Sequence, residues 1–318
     1  MNRKHHLAQT LPANIQDNQN YPACEFVILD YNSTDGLQDW YRQNLQNLGN
    51  RVKYYRTSEP GFYQRSHSRN MVMRLAKGEI LCNLDADNFA GNGFADFIAG
   101  QFSKKPNILL TPEDSSLSDT FGKMVFRAED FHRVRGYDEE IKSYGFEDND
   151  LKERLRAVPL KEKHYLLPEF LKAISHTLEE RILNEELTKT TRIILLKKID
   201  YKTSEVILVT NQNKFLAGII EDRLFSEQKS GAPVKPLKVL DRYQLTGSNF
   251  TEGQFDPGQF REYKEITGKT DRNNVIYFIS QIKNKARFGQ NLKLRTTVNP
   301  DGYGKGFVYD GDKILNLN

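Results

Sequence analysis

The sequence predicts an α/β fold: an open, mostly parallel sheet flanked by helices, followed by a smaller β-containing domain. Three observations carry this. Short apolar runs alternate with helix-period segments across residues 24–84, in the order strand, helix, strand, helix, strand with short connections. One of these runs ends in two carboxylates, at the strand end where open α/β sheets collect their ligands. Beyond about residue 200 the helical period gives way to a hairpin and polar chain.

Residues 3–17 read as a short helix, with Leu7 and Leu11 one turn apart and Pro12 limiting its regular length. Cys24 to Leu29 is a buried strand stopped by turn chemistry from Asp30 to Gly36. Leu37, Trp40, Tyr41, Leu45 and Leu48 mark a helix. Val52 to Tyr55 reads as a strand, Ser66 to Ala76 as a helix stopped by Gly78, and Glu79 to Leu84 as a strand entering Asp85-Ala86-Asp87. Met124 to Phe126 is a further strand, Glu129 to Val134 a short helix, and Asn149 to Ala157 a helix with Leu151 and Leu155 on one face. Residues 178–199 are expected to form one long charged helix. Val206 to Val209 and Phe215 to Ile220 form a hairpin around Asn211-Gln212-Asn213. Residues 227–274 read as loop-rich, Val275 to Ile279 as a strand, and Gly306 to Leu317 as a terminal hairpin. This places domains at 1–200 and 201–318.

Composition narrows the function classes. The 318 residues carry 46 Lys+Arg against 42 Asp+Glu, a net charge of +4 without a basic stripe, which points away from nucleic acid. No run reaches the about 18–20 apolar residues of a membrane span, and no apolar segment backs the basic N-terminus as in a signal peptide. A cytoplasmic protein, at most peripheral at the inner face of a membrane, is expected. Two Cys exclude a disulfide framework, and Cys24 and Cys82 read as core residues. Lys197-Lys198 and the run from Lys283 to Arg287 read as solvated faces, with contact to an anionic surface as the alternative.

Three features concentrate chemistry. Asp85 and Asp87, two apart on extended chain, point to one side and can hold a divalent cation that bridges a nucleoside diphosphate; the alternative is an ordinary acidic turn. Gly136-Tyr137-Asp138-Glu139 precedes Tyr144-Gly145-Phe146-Glu147-Asp148-Asn149-Asp150. Capping explains one or two acids at a helix start, and a further carboxylate facing a cleft can serve as a general base. His176 is a lone histidine that is either structural or a borderline ligand completing a carboxylate site, favouring manganese over calcium. Adjacent His5 and His6 diverge on a helix and are not read as a site; His132 and His164 read as structural.

The order and spacing of these features, with Asp148 61 positions after Asp87 and His176 28 positions further on, resemble inverting family 2 glycosyltransferases of the GT-A fold. The likeness extends to the branch with a galactosyltransferase-type second half and covers roughly residues 1–185. It is carried by Phe26 to Gly36, by His67-Ser68-Arg69-Asn70 through Leu81, by the two Gly-aromatic-acidic patches and by His176-Thr177. The resemblance implies that Asp30, with Asn32 beside it, reads the nucleoside. Asp85 would lie near the ribose or the metal, and Asp87 and His176 would ligate Mn²⁺ or Mg²⁺. Arg69 and Asn70 would serve the donor side, where a guanidinium matches diphosphate oxygens. Asp148 would be the general base, Glu147 would hold sugar hydroxyls, and Tyr144 and Phe146 would stack on the acceptor sugar.

The implied function is transfer of a hexose from a nucleotide sugar, UDP-linked, to a glycan or other hydroxyl acceptor, as in polysaccharide biosynthesis. Family members begin with an apolar strand ahead of the segment like Asn2 to Leu7; with the chain starting at Met1, that first strand is expected to be missing. The alternatives are a truncated, inactive nucleotide-binding or scaffold protein and a nucleotidyl- or phosphoryl-transferase, the latter disfavoured because no G-x-x-x-x-G-K-[ST] loop is present. The region after 200 matches no known pattern and is expected to wall the acceptor side or mediate assembly.

Overall fold

The computed structural model describes residues 1–48, 51–113, 119–222, 243–246, 250–295 and 297–318. The chain forms two compact units. The first comprises Met1–Lys142, Phe146–His176 and Arg287–Asn318, and the second Ser143–Gly145 and Thr177–Ala286.

In the first unit, α1 (Lys4–Asp17) leads to β1 (Phe26–Tyr31), α2 (Leu37–Asn44), β2 (Val52–Thr57), α3 (Arg65–Leu75) and β3 (Ile80–Cys82). Then follow α4 (Phe94–Lys104), β4 (Ile108–Pro112), β5 (Val125–Arg127), α5 (Ala128–Arg133), α6 (Glu147–Arg156) and β6 (Lys161–Tyr165). The α/β class and most expected elements match; α4, β4 and β6 were not expected. The strands form two four-stranded sheets, one containing β1-β2 and the terminal hairpin, the other ordered β3-β5-β4-β6. Directions are mixed rather than mostly parallel: β1–β2 and β4–β6 run parallel, while β3–β5 and β4–β5 run antiparallel. The reason is connectivity: β5 and β6 enter beside β4 from opposite ends.

Burial follows the pattern of the sequence. Leu81, Leu109, Phe126, Phe131, Leu151 and Leu155 form one core with Tyr137, each side chain contributing roughly 1.5–3 kcal/mol by leaving water. Leu11, Ile28, Leu45 and Val52 close a second cluster under α1 and α2.

In the second unit, α7 (Leu178–Ile182) and α8 (Glu186–Thr190) precede β7 (Thr191–Lys198), β8 (Thr203–Thr210), β9 (Lys214–Asp222), β10 (Tyr243–Leu245), β11 (Thr251–Gln254) and β12 (Lys264–Glu265). The long helix expected over 178–199 is therefore two short helices and a strand. Thr177 opens α7 with a capping box to Glu180, but Thr191-Arg192-Ile193-Ile194-Leu195-Leu196 pairs antiparallel with β8, where Ile194 is fully buried. β-Branched residues with a sheet partner outweigh local helix propensity. Conversely, Val275 to Ile279 lies inside α9 (Lys269–Leu294). Buried Ile276, Ile279 and Ile282 continue at every third position, a helical period that the five-residue apolar run hides. Of the segment expected to be loop-rich, 227–274, residues 227–242 and 247–249 lie outside the described residues, and the rest holds β10, β11, β12 and the start of α9.

Helix α9 returns the chain to the first unit, which ends in β13 (Phe307–Asp310) and β14 (Lys313–Asn316), the expected terminal hairpin. β13 pairs with β2 and extends its sheet. No helix among the described residues is long and apolar enough to cross a membrane.

Candidate functional site

The site is assembled in the first unit around the turn that follows β3. Asn83 donates from its backbone to Met124 O at 3.0 Å and from its amide to Gly122 O at 3.0 Å, which fixes where the strand ends. The Asn88 backbone closes a turn onto Asp85 O at 2.9 Å. Helix α1 seats this turn from one side. Thr10 and Asn14, one helical turn apart, donate to Ala86 O at 2.7 Å and Asn88 O at 3.1 Å.

From the other side, residues 172–174 run against Asp87–Phe89. Phe89 N donates to Lys172 O at 3.0 Å, and Ile174 N donates to Asp87 O at 2.8 Å. This pairing explains how His176, 89 residues away, places Nε2 at 2.6 Å from Asp87 Oδ2. Lys123 locks the same pairing, donating from Nζ to Phe89 O and Phe170 O, each at 2.6 Å. Burial lowers its pKa to about 8, opposed by nearby anions.

Asp87 and His176 are thus the converging pair of donors. A carboxylate oxygen with an imidazole nitrogen suits manganese or magnesium, and His176 Nδ1 is buried without a partner, so no competing contact fixes the ring through that atom. Among the described residues, no third Asp, Glu, His or Cys donor lies within 4.8 Å of both. Asp85, expected to share the metal, is held elsewhere. Both of its oxygens accept from Arg69 Nη2, at 3.0 and 3.1 Å.

Arg69 sits at the centre. It projects from α3, is 5% exposed, and has its guanidinium 5.3 Å from the Tyr137 ring centre. Nη1 donates to Asp148 Oδ1 at 2.7 Å and to Glu147 Oε1 at 3.1 Å; Arg65 adds an ion pair to Glu147 at 3.4 Å. One guanidinium therefore ties the turn after β3 to the first turn of α6. The guanidinium arms that the resemblance assigned to a diphosphate are occupied by these protein carboxylates.

Burial pushes the Asp148 pKa up to about 7; Arg69 opposes the rise, while Glu147 and Asp85 add to it. For Asp85, burial also works upward, but Arg69, Arg65 and Asn83 outweigh it and hold the carboxyl below its ordinary value. The contrast is physical: Asp85 takes a two-point contact from Arg69, and Asp148 takes one while facing two other acids.

The remaining expected residues fare differently. Asn70 is fully buried; its amide donates to Tyr137 O at 2.9 Å and Glu139 Oε1 at 2.8 Å and accepts from Tyr137 N at 2.7 Å. It shapes the Gly136-Tyr137 turn and is not free for a donor. Asp30 is 1% exposed, with Ser33 N at 2.9 Å and Tyr54 OH at 2.6 Å donating to it, so its carboxylate is spent inside the loop rather than offered to a nucleobase. Asn32, at φ 51°, donates to Pro60 O at 2.9 Å and holds the loop's bend.

Phe146 caps α6 at φ 69° and packs on Phe288, with ring centres 5.8 Å apart. Tyr144 belongs to the second unit, where it accepts from Arg181 at 2.9 Å and packs on Tyr277. Of the acidic run, Asp138 and Asp150 are structural: Asn291 donates to both at 2.7 Å, Arg287 to Asp138 at 2.8 Å and Arg154 to Asp150 at 2.8 Å.

With this geometry in place, comparison with known proteins is informative. Residues 1–109 match the family model for glycosyl transferase family 2, and residues 115–177 match that for the N-terminal domain of galactosyltransferase. Over residues 1–109 the chain matches the family 2 glycosyltransferases. Among solved structures, it is similar to the mannosyltransferase PcManGT from Pyrobaculum calidifontis in complex with GDP-Man and Mn²⁺. The identity is 17% and the TM-score 0.44, over 54% of this chain and 53% of that one. It is also similar to S. aureus TarS 1-349, at 18% identity and TM-score 0.38, over 48% and 52%. The chain spans about half the length of these structures. No curated protein matches it.

Three residues around this candidate site are not marked by the sequence reading: His6, Gly122 and Lys123. His6 is 3% exposed, lies against His176 with ring centres 5.6 Å apart, and has its pKa lowered to about 4 by burial. The available signal was helical spacing: His6, Thr10 and Asn14 share one face of α1, and all three are buried. For Gly122 and Lys123 no local pattern points to the site.

Proposed function

We propose that the protein is a metal-dependent, inverting glycosyltransferase that moves a hexose from a UDP-linked sugar to an acceptor hydroxyl, with Asp148 as general base. The observation that carries this reading is Arg69. A single guanidinium holds Asp85, at the cation-binding turn, and Asp148, at a helix start, so metal and base chemistry would share one site. Asp87 and His176 would hold Mn²⁺ or Mg²⁺. When bound, such an ion neutralises charge on a departing diphosphate.

The base step falls to the chain's own residues. Asp148 accepts the acceptor hydroxyl's proton, the oxygen attacks the anomeric carbon, and the bond to the diphosphate oxygen breaks with its electron pair leaving on the nucleotide. In-line attack inverts the anomeric centre. A pKa near 7 suits this task, since the carboxylate is both present and basic at neutral pH. Glu147, anchored by Arg65 and Arg69, sits beside it to hold sugar hydroxyls. A glycan acceptor fits the reading.

The test is turnover of UDP-glucose, UDP-galactose and GDP-mannose with and without Mn²⁺. Asp148→Asn is expected to lower transfer by about 10²–10⁴-fold while UDP binding persists in calorimetry. Unchanged transfer in that variant would remove Asp148 from the role of base.

A further inference from the structure

We infer that Oδ2 is the proton-accepting atom of Asp148, and that Gly122 and Arg69 are positioning residues that set where this atom lies. The inference rests on the reading of Asp148 as base and specifies the atom and its support.

The two carboxylate oxygens are not equivalent. Oδ1 accepts from Arg69 Nη1 at 2.7 Å and from the Tyr137 hydroxyl at 3.4 Å. Among the described residues no hydrogen bond reaches Oδ2, and the Asp148 side chain is 14% exposed. One oxygen is therefore an anchor and the other is available to a substrate proton. The acceptor's proton would pass to Oδ2, leaving the Oδ1 contacts intact throughout.

Oδ2 rests against Gly122. A Cβ added at this glycine would lie 2.9 Å from Oδ2 and 3.3 Å from Arg69 Nη2. Gly122 is not in the left-handed backbone region, so its conformation does not call for glycine; the space does. Its backbone cannot retreat. The carbonyl accepts from Asn83 Nδ2 at 3.0 Å and from Met124 N at 2.8 Å. Arg69 cannot yield either, because Nη2 is committed to both oxygens of Asp85 and the guanidinium lies over Tyr137. An added methyl group must therefore turn the carboxylate itself.

The experiment compares wild type with Gly122→Ala and Gly122→Ser in the full chain, using Mn²⁺ with UDP-glucose or UDP-galactose. For Gly122→Ala we expect kcat to fall about 10²-fold, as displacements of order 1 Å do, with donor KM and calorimetric UDP affinity within about twofold. The thermal midpoint should be unchanged. Arg69→Lys, which keeps the charge but loses the two-armed fork, should also lower kcat more than it raises donor KM. If Gly122→Ala turns over at the wild-type kcat while Asp148→Asn is inactive, the assignment of Oδ2 and Gly122 fails and the base stands. If UDP affinity and thermal midpoint fall together with kcat, Gly122 is merely structural and the inference is overturned. Full activity in Asp148→Asn overturns the base reading itself.

Discussion

Asp148 and its neighbours show what residue type alone conveys. Acidic residues after Gly145-Phe146, at a helix start, mark a site because capping needs fewer carboxylates than are present. Which of them face the chemistry is decided by partners far away: Asp138 and Asp150 go to Asn291, and Glu147 and Asp148 go to Arg69. The pKa of about 7 has a kinetic consequence. In the proposed role of base Asp148 would work as a carboxylate, so kcat/KM should drop as pH falls through about 7 and level off above it, in a profile taken at saturating Mn²⁺. Arg69 favours the charged form, so Arg69→Met should move the acid limb to higher pH. A limb that stays in place would mean that Asp148 is not the titrating group.

At the scale of elements, the turn before α6 depends on a close approach between distant segments. Gly136 has φ 67°, and a Cβ there would lie 2.4 Å from Asn70 Oδ1 and 2.9 Å from the Tyr303 ring. Gly136→Ala is expected to cost about 1–3 kcal/mol of stability, read as a lower urea midpoint. Lys123 pins the turn after β3 to the segment leading to His176. Lys123→Met leaves two carbonyls without their donor and is expected to cost about 1–3 kcal/mol for each, seen in the same titration.

The most legible elements are α6, which buries Leu151 and Leu155 as their spacing selects, and the β8–β9 hairpin, which forms where the two apolar runs place it. Residues 191–198 and 275–279 were misassigned for one reason. A short apolar run does not distinguish strand from helix until its partners are known.

For the whole molecule, the C-terminal residues complete the first unit. Val308 is fully buried, and Arg74 Nη1 donates to the carbonyls of Tyr303, Gly304 and Leu317 at 2.8, 3.1 and 2.7 Å. Deleting residues 305–318 should therefore lower the thermal midpoint of this unit, although the deletion removes no residue of the proposed metal or base set. An unchanged midpoint would show that the hairpin is dispensable.

The sequence by itself determined the α/β class, the turn after β3 with its two carboxylates, the acidic start of α6 and the family, because periodicity and motif spacing are local properties. Only the tertiary structure decided that His176 meets Asp87, that Asp30 and Asn70 are consumed by the fold, and that Arg69 joins carboxylates from two distant elements. Those outcomes depend on which donors and acceptors become neighbours on folding, and chain order does not encode that proximity one residue at a time.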